Sequence, residues 1–225
     1  MKISQGFTLI EMAIVMIIMG FLIGGLLMPL SMQMNQQKIK DTQKTLETVK
    51  EALIGYAILN GNFPCPNLPP ISNGKGTDHP CVLNKEGEIP WIILGVGRYD
   101  SWGNPIRYRL DDAYRTINFP VSLDTSSGLK IRDINDNPLT NETVGVNSNV
   151  IAVIYSCGKN GRPEEENDKH GYSGGANCSL SFSTTTKDIF TQDSFVENQF
   201  DDILTWLPKN ILINQLVLAG KWPPP

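Results

Sequence analysis

The longest hydropathy feature is an apolar run at residues 12–30 that contains no charged or strongly polar side chain. As a helix these 19 residues measure about 28 Å, close to the hydrocarbon thickness of a bilayer. Beyond it the pattern becomes amphipathic. Ile39, Thr42, Leu46, Val49, Leu53 and Tyr56 recur at spacings of three and four, while Lys40, Lys44, Glu47, Lys50 and Glu51 fall off that stripe. One long helix is expected, ending at Asn60-Gly61 with Pro64 beyond. Gly24, Gly25 and Pro29 should kink or locally melt it. Residues 61–90 lose periodicity and are rich in Pro, Gly and Asn, which predicts an irregular connector.

Strand patterns follow. Ile106, Tyr108 and Leu110 alternate with Arg107 and Arg109, as in a half-buried strand. Asp111-Asp112 reads as a turn, and 114–119 as the hairpin partner. Residues 129–134 alternate weakly and predict another strand, with turn chemistry at 135–138. The unbroken apolar run at 149–155 is the expected central strand. Leu180 and Phe182 alternate with serines, an edge-strand pattern. Pro208 suits the first position of a final helix, with Leu212, Leu216 and Ala219 on one face and Gly220 as the cap.

Composition narrows the class. A chain of 225 residues, 40% apolar and 19% charged, has room for one domain with a core plus an anchor. The net charge of -4 and the scattered basic residues give no footprint for nucleic acid, which is not an expected partner. The four cysteines, Cys65, Cys81, Cys157 and Cys178, all lie behind the apolar run. Their even number there suggests disulfides in an oxidising compartment. Nearest-neighbour pairing, Cys65–Cys81 and Cys157–Cys178, would close two short loops, each worth about 3 kcal/mol in the chain-entropy account. Two other connectivities remain open. His79 and His170 offer no CxxC or HxxxH spacing, so no metal site is expected from them. With no G-x-S-x-G, HExxH or P-loop, no enzyme is expected either.

The N-terminal segment carries the most specific chemistry. Residues 6–11 read G-F-T-L-I-E, after a short leader that contains Lys2. An acidic residue in the centre of an apolar helix costs about 2.5 to 3.5 kcal/mol on insertion scales, so Glu11 at the mouth of the run reads as functional. No A-x-A pattern follows the run, as a secretory signal would require. The segment resembles the processing motif of type IV prepilins and type II secretion pseudopilins. That resemblance implies cleavage between Gly6 and Phe7 by a prepilin peptidase and N-methylation of Phe7. It also implies that Glu11 neutralises the N-terminus of a neighbouring subunit during assembly.

Four further strings resemble the same group. D-S-W-G-N-P at 100–105 is similar to the D-P-W-G-N-P of type II secretion pseudopilins, departing from it at Ser101. P-C-P at 64–66 and I-P-W-I-I-L-G at 89–95 look like those of minor-pilin or pseudopilin-like proteins, and D-D-I-x-x-W at 201–206 is similar to the ends of such minor-pilin-like proteins. The resemblance implies an α+β, pilin-like fold, with a long N-terminal helix packed on a small antiparallel sheet head with loop insertions. Its expected parts are a leader at 1–6, a transmembrane and filament-core helix at 7–30, an amphipathic helix at 31–60 and a periplasmic head at 61–225. Lys38, Lys40 and Lys44 would mislead a positive-inside count, and the cysteines and leader place the C-terminal part in the periplasm.

The expected function is a structural subunit, a minor pilin or pseudopilin, inserting into or priming a type IV pilus or type II secretion filament. Expected partners are the prepilin peptidase, other subunits and an inner-membrane assembly platform. The chain would be single-pass in the inner membrane before assembly. A second reading is a membrane-anchored binding module that uses the long loops 61–88 and 157–178. The second loop holds Glu164, Glu165, Glu166, Asn167 and Asp168. Some pseudopilins bind calcium in a late loop, but this spacing is not that of an EF-hand, and a solvated, disulfide-closed loop is expected ahead of a calcium site.

Overall fold

The computed structural model describes residues 6, 8–68, 73–82, 86–114, 128–141, 150–164, 167, 178, 188–196 and 199–222, apart from the side chains of residues 23–30. Two compact units are present, Met1–Lys40 and Asp41–Pro225. A single helix, α1 (Leu9–Asn60), contributes to both. Its backbone stays helical past Gly24, Gly25 and Pro29, so the expected local melting does not occur. A proline removes one donor from the ladder, and a long helix on either side carries the cooperativity across.

In the first unit, the described side chains of α1 are exposed through Leu22. Among the described residues no helix is long and apolar enough to cross a membrane. The side chains of residues 23–30, which complete the apolar run of the sequence, lie outside that description.

In the second unit, the predicted stripe marks the buried face of α1 up to Leu53, while Tyr56 is half-buried and Ala57 takes its place. Thr42, Leu46, Val49, Leu53 and Ala57 are buried, whereas Lys44, Glu47 and Glu51 are exposed. A four-stranded antiparallel sheet has the order β1-β2-β4-β6. Its strands are β1 (Glu86–Glu88), β2 (Arg107–Leu110), β4 (Val150–Ser156) and β6 (Ile203–Pro208). A second sheet pairs β3 (Lys130–Arg132) with β5 (Ile189–Thr191) in parallel. The short helix α2 (Trp91–Leu94) follows β1, and α3 (Lys209–Leu218) follows β6.

Register explains the layers. Tyr108 faces Ile154, which faces Thr205, and Thr205 exchanges hydrogen bonds with Glu47 and Lys50 of α1. That side of the sheet therefore packs on the helix. Side chains one residue along point the other way. Val153, Tyr155 and Leu204 join Leu129, Ile131 and Phe190 in a core between the two sheets. Tyr155 and Phe190 meet edge to face at 6.1 Å.

Several expectations are corrected. β2 is not half-buried: all four of its residues are buried, with Arg107 held by Glu86 and the Cys178 carbonyl and Arg109 by Asp188. No hairpin forms directly after it, since β1 and β4 occupy both of its edges and Tyr114 closes a 3-10 turn (Asp112–Tyr114). The rest of 114–119, and Leu180 and Phe182, lie outside the described residues. The connector 61–90 is irregular but ends in β1. Residues 203–208, read as a lead-in to the last helix, form an edge strand, and Pro208 is the residue before α3 rather than its first. Leu212 and Leu216 are buried, while Ala219 is exposed.

Candidate functional site

At the start of α1, Thr8 and Glu11 hold one another. The Thr8 N–H and its hydroxyl each donate to Glu11 Oε2 at 2.8 Å, and the Glu11 N–H donates to Thr8 Oγ1 at 3.3 Å. This is a capping box: threonine and the acid three residues on satisfy each other's orphan donors. The T-x-x-E spacing was readable in the sequence and is not among the expectations above. The box fixes the Glu11 carboxylate at the mouth of the apolar run. Gly6 is exposed, and Phe7 lies outside the described residues. On the same helix Leu9 is 92% exposed and Phe21 79%. A helix that is apolar around its whole circumference needs lipid or other helices to cover it.

The head contains a polar turn and an acidic cluster that are linked to each other. Asp100 Oδ1 accepts the backbone N–H groups of Trp102 and Asn104, and its Oδ2 accepts the Ser156 hydroxyl at 2.6 Å. The Asn104 side chain donates to the Gly158 carbonyl at 2.6 Å. The turn at 100–105 is thus pinned to the loop after β4. That loop is closed by the disulfide Cys157–Cys178, and Cys65–Cys81 closes the connector, so the pairing is between nearest neighbours.

Beyond Gly158 the loop meets the residues that lead into β6. Asp201 accepts the Asn160 N–H, Asp202 accepts the Glu164 N–H and the Asn167 amide, and Glu164 accepts the Asp201 N–H, at 2.5 to 2.9 Å. One carboxylate oxygen from each of Glu164, Asp201 and Asp202 lies within 4.8 Å of the others. Burial pushes all three acids above their ordinary range, Asp202 the furthest. Among the described residues, the buried Oδ1 atoms of Asp201 and Asp202 have no hydrogen-bond partner. Such an all-oxygen set, rich in negative charge, suits a hard divalent cation.

Residues 1–27 match the family model described as the prokaryotic N-terminal methylation motif. At its N-terminus the chain is thus similar to type IV pilin-like proteins. Over 108 residues it is 26% identical to the type II secretion system core protein G of Pseudomonas aeruginosa, an alignment covering 47% of this chain and 72% of that protein. No solved structure matches it.

The residues singled out from sequence fall in separate places. Gly6 and Glu11 belong to the helix start, and the four cysteines staple two head loops. Of the acidic loop residues, Glu164 enters the cluster and Asn167 supports it. Glu165, Glu166, Asp168 and His170 lie outside the described residues. Asp201 and Asp202, quoted earlier only as part of a family string, complete the cluster. His79, read as an ordinary loop residue, stands beside the Cys65–Cys81 disulfide.

Proposed function

We propose that the chain is a structural subunit of minor-pilin or pseudopilin type, anchored in the inner membrane with its head in the periplasm and drawn into a filament after processing. The observation that carries this reading is the methylation motif over residues 1–27, continued by a helix with exposed apolar side chains on every side. Prepilin peptidase cuts between Gly6 and Phe7, and the new Phe7 amine is methylated. Thr8 holds Glu11 ready for the positive N-terminus of a neighbouring subunit, because two opposite charges in a low-dielectric medium need one another. The protein's role is docking and packing, with no chemistry of its own. Its partners are the peptidase, other subunits and an inner-membrane assembly platform.

Mass spectrometry of the chain from membranes with active peptidase should give an N-terminus at methylated Phe7. Glu11→Gln should leave cleavage intact and lower recovery in sheared filaments by about tenfold or more, the loss of one charge pairing in lipid. An intact Met1 terminus, or normal incorporation of Glu11→Gln, would defeat the reading.

The acidic cluster of Glu164, Asp201 and Asp202 supports a second part of the proposal: the head takes up one calcium ion there, which ties the loop after β4 to β6. The unpartnered, buried oxygens of Asp201 and Asp202 favour it.

A further inference from the structure

The connector after α1 places an imidazole against a disulfide. His79 Nδ1 lies 3.7 Å from Cys65 Sγ and 3.9 Å from Cys81 Sγ. The three side chains form a second cluster of metal-ligating atoms, and Cys157 and Cys178 join no such cluster among the described residues. Cys65 and His79 also line a cleft of about 720 Å³, together with Thr77, Asp78, Tyr56 and Ile93. The cluster therefore has a solvent-facing side and a buried side, the latter formed by two cysteines that are nearly inaccessible.

Distances decide what this arrangement suits. Tetrahedral zinc holds a thiolate at about 2.3 Å and an imidazole nitrogen at about 2.0 Å. With tetrahedral angles, those bond lengths put nitrogen and sulfur about 3.5 Å apart and two sulfurs about 3.8 Å apart. The imidazole already stands within a few tenths of an ångström of that spacing from both sulfurs. The two sulfurs themselves are joined as a disulfide.

We propose that the Cys65–Cys81 pair has a second, reduced state in which Cys65, Cys81 and His79 bind one zinc ion, with the fourth position open to the cleft. A dithiol supplies the two electrons and two protons. Its own sulfurs join as a disulfide, the Cys65–Cys81 bond breaks, and both cysteines become thiols. Zinc then displaces the two thiol protons to solvent and accepts the lone pair of His79 Nδ1. Metal and disulfide are thus alternative staples for the same loop, chosen by the redox state of the compartment.

The test uses the full-length chain in detergent, reduced with a phosphine under anaerobic conditions and titrated with Co²⁺ as a spectroscopic stand-in. The reduced chain should bind one Co²⁺ with a thiolate charge-transfer band and tetrahedral visible bands, and one equivalent of Zn²⁺ should remove them. The oxidised chain should show neither. His79→Gln should weaken Co²⁺ binding by at least about tenfold, and Cys65→Ser should abolish the charge-transfer band. Circular dichroism reports whether the reduced chain stays folded. The proposal is overturned if the reduced chain shows no such band, or if His79→Gln binds as the reference does. A band that survives Cys65→Ser, arising from Cys157 and Cys178, or a reduced chain that has lost its fold, overturns it equally.

Discussion

Arg107 has no exposed surface. Its charge is tolerated because Glu86 Oε1 accepts two of its N–H groups at 2.9 and 3.0 Å, while the Cys178 carbonyl accepts a third at 3.1 Å. The Tyr155 hydroxyl donates to the same Glu86 oxygen at 2.7 Å. Removing one partner of a buried pair leaves the other uncompensated, and that is where the cost lies. Glu86→Gln is therefore expected to destabilise the head by about 3 to 5 kcal/mol, and Glu86→Leu with Arg107→Met by much less. Urea unfolding of the three chains measures this; equal midpoints for the single and double variants would show that the charge is not what is being compensated. The alternation of Arg107 and Arg109 with apolar neighbours correctly separates the two faces of β2. It cannot announce that both faces are covered. Arg107 finds its carboxylate 21 residues away, and Arg109 finds Asp188 79 residues away, at 2.9 Å.

At the scale of elements, close approach of the loop after β4 to the residues before β6 depends on Gly158. Its φ is +56°, and a Cβ there would lie 2.1 Å from the Asp201 carbonyl oxygen. The nearest atom is a backbone carbonyl rather than the far end of a flexible side chain, so it cannot simply swing aside. Gly158→Ala should cost about 2 to 4 kcal/mol and loosen the acidic cluster, since strain at positive φ adds to the clash. Hydrogen exchange at the Asn160 and Glu164 amides, whose acceptors are Asp201 and Asp202, reads that loosening; unchanged protection would refute it. Local pattern made some elements legible and not others. The α1 stripe from Thr42 to Leu53 and the apolar core of β4 were visible because burial follows a short period in each. β3 and β5 were not paired by inspection, because a parallel pair needs a long crossover and Ile131 meets Phe190 at a separation of 59 residues. Asp201 and Asp202 escaped notice as ligands for the same reason, since their partner Glu164 lies on a different loop.

For the molecule as a whole, the proposed calcium site would make stability a function of pH and of calcium together. Burial raises the folded-state pKa of Glu164, Asp201 and Asp202 above the ordinary carboxylate range. The folded head then binds protons more tightly than the unfolded chain does. Its stability is complete below the ordinary carboxylate range and falls as pH rises through the raised values. Above that window the acids are charged, buried and mutually repelling unless a cation replaces the protons. Calcium binding should accordingly strengthen as pH rises, because it no longer competes with protons for the same oxygens. Thermal unfolding of the full chain is expected to show a Tm that drops between pH 5 and pH 8 without metal. At pH 8 calcium at about 100 times its Kd should return roughly 2.7 kcal/mol of stability, and at pH 5 far less. Asp202→Asn should flatten the pH dependence and remove most of the response to calcium. An equal calcium response at the two pH values, or one that Asp202→Asn leaves intact, would show that the cluster is held by protons and hydrogen bonds alone.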